Sequence, residues 1–201
     1  MDTNQTIPTT LELTDGRLRL RHWQDRDAPA LVEAARESMA TVGRRLPWCH
    51  ADYSLDDARS WITHCQAGWR SGEHYAFPVF DAVSGELLGG VGLNQFNLFH
   101  RSANLGYWVR QSRQRQGVAT AAALLAAGFG FEWLGLIRIE IVALADNLAS
   151  QHTAARIGAC FEAVARQRLW ADGQAHDAAV YGLIPTDMPP SAAEQNRTIS
   201  S

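Results

Sequence analysis

The sequence predicts an α+β fold, one mixed sheet flanked by helices, on three observations. SANLGYWVR at 102–110 runs through a polar RQRQG into the apolar VATAAALLAAGFGFEWLG and on into IRIEIVAL at 137–144. That strand–loop–helix–strand order is a crossover unit, which sets its two strands roughly parallel. YAFPVFDAVSGELLGGVGLNQF at 75–96 reads as an antiparallel hairpin. Segments of period two and period 3.6 recur along the rest of the chain.

The elements follow in order. GRLRLRHW at 16–23 alternates Leu18, Leu20 and His22 with Arg17, Arg19 and Arg21, a strand with one wet face. Asp27 precedes a helix whose apolar positions are Leu31, Ala34, Ala35 and Ser38, with Pro29 tolerated in the first turn. The irregular GRRLPWCHADY at 43–53 leads to a second helix, started by Ser54 with Asp57 three residues on. Trp61, Cys65 and Trp69 then recur every fourth residue beside Ile62, an apolar stripe expected in the core. In the hairpin, Ser84 and Gly85 mark the turn, and Pro78 places the first strand near an edge or a bulge. After the crossover come a helix over 149–157, a turn at Gly158, and strands near 161–170 and 176–184 joined at ADG. Residues 1–9 and 186–201 read as loose tails, leaving a domain at 10–185.

Length and composition agree with one domain: 201 residues, 46% hydrophobic. A net charge of -3 offers no general attraction to nucleic acid or an anionic membrane. No stretch approaches the roughly 20 apolar residues of a membrane span. Cys49, Cys65 and Cys160 lack metal-ligand spacing and cannot all pair within the chain, which favours a reducing, cytoplasmic setting. The histidines show no HExxH or carboxylate spacing, so no metal is expected. Seven tryptophans leave aromatic surface enough for a homodimer.

RQRQGVAT at 113–120 is the informative stretch. Gly117 brings backbone close without a Cβ, Ala119 keeps the next turn thin, and a helix start has four N–H groups without internal acceptors, here extending through Val118 and Thr120. Arg113 and Arg115 stand at the rim. There is no GxGxxG and no GxxxxGK[ST], so dinucleotide and P-loop sites are poor readings.

QRQGVA at 114–119 fits the Q/R-x-x-G-x-G/A signature of the GNAT acetyltransferase superfamily, and the chain resembles its RimJ/RimL-like branch over about 10–185. GRLRLRHWQDRDAPALV, RRLPW, LGYWV, RIEIVALADNLASQHTAARIGACFEAV and YGLI carry the likeness in that order. The resemblance implies a central twisted mixed sheet that splays where acetyl-CoA binds. Gln114, Arg115, Gln116, Gly117, Val118, Ala119 and Thr120 would hold its diphosphate, and the strand with Trp108 and Val109 would pair with the pantetheine amides. Asn147 would bond the same arm, beyond any N-capping role it has, and Ser150 would lie near the thioester sulfur.

The implied reaction is direct attack of a primary amine in a ternary complex. It needs a neutral amine, a polarised carbonyl and a proton for the leaving thiolate. The Val109 N–H is the candidate for the carbonyl oxygen. Many relatives have a tyrosine four residues before the glycine of the last helix's turn; here that position is Ala154, which leaves Ser150 as the acid. Relatives often have an acidic residue before the GYW, replaced here by Asn104-Leu105. The base is therefore open among His50, Glu140, Glu162 and water, histidine being the residue type that titrates near neutrality. The loop and helix at 43–65 and the hairpin at 92–99 are expected to wall the acceptor site through Trp48, His50, Tyr53, Trp61, Asn94, Gln95 and Asn97. The acceptor is expected to be a protein N-terminus, with a small amine, antibiotic or toxin as the alternative. A non-catalytic acyl-CoA-binding module is the rival from another class.

Overall fold

The computed structural model describes residues 7–171 and 173–189. Its elements are β1 (Glu12–Thr14), β2 (Leu18–Arg21), α1 (Ala28–Ser38), α2 (Leu55–Ser71), β3 (Tyr75–Asp81), β4 (Leu87–Asn97), β5 (Ser102–Val109), α3 (Val118–Glu132), β6 (Arg138–Leu144), α4 (Leu148–Arg156), β7 (Cys160–Ala171) and β8 (Gln174–Leu183). They form one sheet in the order β1-β2-β3-β4-β5-β6-β8-β7. Every neighbouring pair is antiparallel except β5 and β6, which the α3 crossover makes parallel.

Two apolar clusters flank the sheet. Ala126, Phe129, Ile139, Ile141 and Ala154 belong to the one around α3 and α4. Leu31, Ala35, Ile62, Cys65, Phe80 and Leu87 belong to the one around α1 and α2. The expected inward positions of α1 are all buried, and the Ser54 box forms in full, with Asp57 N donating to Ser54 Oγ and Ser54 N to Asp57 Oδ2.

Three details depart from the sequence reading, and the bulge offered as one alternative at Pro78 is found. Trp61 is 42% exposed: the buried stripe of α2 is Ala58, Ile62, Cys65 and Trp69, because steps of four residues drift off the face that 3.6-residue turns present. Pro78 sits in an interior strand opposite Gly90, and the register shift falls just after it, between Val79 and Phe80. The arginine side of β2 is not wet, because Arg21 is buried in a two-pronged pair with Asp27 at 2.7 and 2.8 Å and lies over the Phe80 ring. β1 was not anticipated; Asp15 Oδ1 accepts from Arg17 N and Leu18 N and turns the chain back into β2.

At the ends, Ile7 is buried and its carbonyl accepts from Trp69 Nε1 at 3.2 Å, while Met188 packs against the first cluster. Residues 1–6 and 190–201 of the expected tails, and Asp172 of the ADG turn, lie outside the described residues.

Asp27 also accepts from Gln24 N at 2.9 Å, so it ties β2 to the start of α1. Removing one partner of a buried pair strands the other charge. Asp27→Ala is expected to lower the unfolding free energy by about 3 to 5 kcal/mol, read from urea denaturation midpoints.

Candidate active site

β5 and β6 pair only where Ser102, Ala103 and Asn104 face Arg138, Ile139 and Glu140, and beyond these pairs the two strands part. Ladder parity says what the opening contains. Ile137 N donates to Arg101 O, so odd-numbered β5 residues turn their polar backbone toward β6; Arg110 N donates to Leu88 O, so even-numbered ones face β4. Tyr107 and Val109 therefore direct their N–H groups into the gap. Trp108, expected to share that duty, turns its backbone to Gly90 of β4 and its ring onto Trp48, 5.2 Å between centroids.

Next the chain makes a single 3-10 turn over Gln111–Arg113 and enters α3 with Arg115 at φ 61 and Gly117 at φ 78. Gln114 N and Ala121 N each donate to a carbonyl, but none of the N–H groups of residues 115 to 120 meets an acceptor among the described residues. They converge at a helix start, where donors and dipole favour an anion. The loop is held instead by its outer side. Arg17 Nη2 donates to Gln116 O at 2.6 Å, and Gln114 Nε2 to Thr41 Oγ1 and Val109 O. Buried Arg110 bonds Glu33 and Glu37, Ser112 N donates to Glu37 Oε1, and Gln111 N to Ser38 Oγ. Arg113 is paired with Glu86 at 2.5 Å, so its charge is largely spent inside the protein. A cavity of about 260 Å³ bordered by Arg17, Glu86, Arg113, Gln116 and Val118 adjoins the loop.

Across the gap, Asn147 caps α4, its Oδ1 accepting from Ser150 N at 3.3 Å. The Tyr107 hydroxyl donates to Ser150 O at 2.9 Å and lies 3.1 Å from Ser150 Oγ. Tyr107 was not among the anticipated site residues; its odd place in LGYWV, beside Val109, was the available signal. Burial raises its phenol pKa, and the Ser150 contact opposes only part of that shift. Ala154 is fully buried. Arg45 and Asp146 form an ion pair at 2.6 Å that joins the 43–53 segment to the turn before α4.

The expected acceptor residues divide. Asn94, Asn104 and Glu140 stand in one row across β4, β5 and β6, and Asn104 Nδ2 donates to Asn94 Oδ1 at 3.0 Å. Next in β5, Gly106 on the same face leaves open space where a Cβ would be. Glu140 and Glu162 both pair with Arg138, at 3.0 and 2.5 Å. Trp48 stays partly buried against Trp108, and His50 is exposed 6.0 Å from Tyr53. Tyr53 is interior at 4% exposure, and burial pushes its phenol up to about 12, so it supports the wall from behind. Trp61 faces outward beside His64, Gln95 is exposed with φ 51, and Asn97 Oδ1 accepts from His100 N to shape the hairpin end. Among the described residues no group of three His, Cys, Asp or Glu side chains could hold a metal ion, and no helix is long and apolar enough to cross a membrane.

Residues 17–160 match the acetyltransferase (GNAT) domain, and the chain belongs to this family: it is an N-acetyltransferase whose acetyl donor is acetyl-CoA. Among its relatives, a provisional ribosomal-protein-serine acetyltransferase of Vibrio cholerae is 31% identical, with a TM-score of 0.77 over 89% of this chain and 100% of that one. The provisional ribosomal N-acetyltransferase YdaF of Bacillus subtilis is 28% identical over 83% of this chain and 91% of its own. RimJ of Mycobacterium smegmatis, solved in complex with CoA-disulfide, shares the fold at a TM-score of 0.80 and 24% identity, covering 93% of this chain and 91% of that one. The open strand edge and the unpaired amides fit the donor: one suits a chain of secondary amides, the other a diphosphate.

Partial burial pushes the Glu37 carboxyl up, but the hydrogen bonds from Arg110 and Ser112 outweigh it and leave it at about 2. A depressed carboxyl stabilises the fold fully above the ordinary range near 4.3, and that contribution is lost as pH falls toward 2. Glu37→Gln is expected to lower the denaturation midpoint at pH 7, with the two proteins converging between about pH 4 and pH 2. A constant difference across that range in chemical denaturation would exclude this linkage.

Proposed function

We propose that the enzyme acetylates the α-amine of a protein N-terminus. The observation that carries this reading is the sheet face at Gly106, where nothing lies within 4 Å of a Cβ position, bordered by Asn94, Asn104 and Glu140 and next to the gap at Val109. An extended peptide end fits a flat floor flanked by amides. The ribosomal acceptors in the names of the Vibrio cholerae and Bacillus subtilis relatives support it.

Acetyl-CoA supplies an acetyl thioester, with an electrophilic carbonyl carbon and a sulfur leaving group. The N–H groups of residues 115 to 120 hold the diphosphate, the Gly117 turn keeping them aligned. Tyr107 pairs its free edge with the pantetheine amides. Asn147 spends its Oδ1 on the helix cap and keeps its Nδ2 donors for the same arm. The Val109 N–H stabilises charge on the carbonyl oxygen. Ser150 Oγ gives the sulfur its proton, and Glu140, on the acceptor face, removes the amine's proton through water. His50 and Trp48 border the entrance.

Two measurements test this. Thiol release should be at least about 100-fold more efficient in kcat/KM with peptides beginning Ser, Ala or Met than with amino sugars, polyamines or free amino acids, since only an extended backbone spans the floor at Gly106 and its amide border. Preference for a small amine would overturn the acceptor while leaving the enzyme class intact. Gly117→Asp forces a side chain into a left-handed turn and adds a carboxylate to the anion path, so the acetyl-CoA Kd should rise at least about 100-fold by calorimetry. An unchanged Kd would remove the cradle.

A further inference from the structure

The Tyr107–Ser150 contact crosses the gap from β5 to the first turn of α4, joining residues 43 positions apart. A phenol has one proton, and here it has two acceptors on the same residue, the Ser150 carbonyl and its Oγ. The other hydroxyl of α4, Thr153 Oγ1, donates to Ala149 O at 3.0 Å and also contacts the phenol, and position 154 is a fully buried alanine. Serine as sole acid would be left as an alkoxide, a far stronger base than a phenolate, since phenols ionise near 10.

We propose that Tyr107 is a positioning residue that reloads Ser150 with a proton as the thiol departs, so that the acid of this enzyme is a tyrosine–serine relay. This rests on the role given to Ser150 above. As the amine nitrogen bonds to the acetyl carbon, the carbon–sulfur bond breaks and its electron pair goes to sulfur. Sulfur takes the Ser150 Oγ proton, and Oγ takes the Tyr107 proton. The proton lost by the amine nitrogen returns through water to the phenolate, so the cycle closes with no net charge. The half-buried site keeps the phenol protonated before the step. The bond to Ser150 O fixes the ring in place, and a short swing of the same O–H reaches Oγ.

Tyr107→Phe keeps the ring that fills the core and removes only the hydroxyl. With folding verified by thermal melting, kcat is expected to fall about 10- to 100-fold, the ordinary range for one proton-transfer group, with the CoA Kd within about twofold of wild type. Ser150→Ala should fall at least as far, and the double variant no further than the slower single one, because two members of one relay do not add. The wild-type rate in mixtures of light and heavy water should curve with deuterium content, reporting two protons in flight, and become linear in Tyr107→Phe. A Tyr107→Phe enzyme at wild-type kcat beside a slowed Ser150→Ala overturns the relay and leaves the Ser150 reading standing. Additive losses, an unchanged curvature, or a loss confined to CoA affinity also overturn it. Ser150→Ala at wild-type rate removes the Ser150 role, and the relay with it.

Discussion

The sheet is two antiparallel blocks joined by a parallel seam three residues long. β5 is paired along its length with β4, and β6 with β8, so each block satisfies its own backbone. Among the described residues, the ladder pairs of Ser102–Asn104 with Arg138–Glu140 stitch the blocks together; the gap opens past the end of that seam, and Glu140 stands at its last pair. An unpaired strand edge inside a protein costs free energy unless something completes it. The donor's amide chain is the partner proposed for this edge. Two side-chain bridges set the width of the gap in the meantime: the Tyr107–Ser150 hydrogen bonds and the Arg45–Asp146 ion pair.

A loop that offers free amides must be kept rigid by something other than its amides. Here the support comes from carboxylates. Glu33, Glu37 and Glu86 converge on Arg110 and Arg113, and Glu37 also takes the Ser112 N–H. Arg110 and Arg113 are thereby committed to holding the loop, while Arg115 stands exposed within it. In the proposed reading, recognition of the diphosphate then falls chiefly on the main-chain N–H groups at this helix start.

The crossover, the hairpin, the Ser54 box and the inward face of α1 were legible because each is a local matter of period, turn residues or cap chemistry. The unread features depend on partners far along the chain. Arg21 pairs with Asp27 only six residues on, but it also packs over the distant Phe80, and Tyr107 gains its meaning from a serine 43 residues on. Trp61 shows a different limit. An exact four-residue repeat looks like a stripe, yet it rotates away from the core by about 40° per step, and at Trp61 the protein follows the true pitch through Ala58 and Ile62. The glycine loop was recognisable as an anion site only together with the motifs around it. The supporting carboxylates lie on α1 and in the β3–β4 turn, and nothing in their local sequence marks them as partners of the loop.

The same connections join the two substrates' sites mechanically. α1 grips the donor loop through Glu37 and Ser38, with Thr41 just past its end holding Gln114. The chain continues directly into the 43–53 segment, where Trp48 packs on Trp108 and Arg45 reaches Asp146 across the gap. These bonds connect the loop proposed to hold the donor with the wall proposed for the acceptor, by way of α1 and the segment that follows it. Were the two sites energetically coupled along that path, the coupling would be reciprocal: a donor that tightens the loop would prepare the acceptor face to the same degree that an acceptor would tighten the donor.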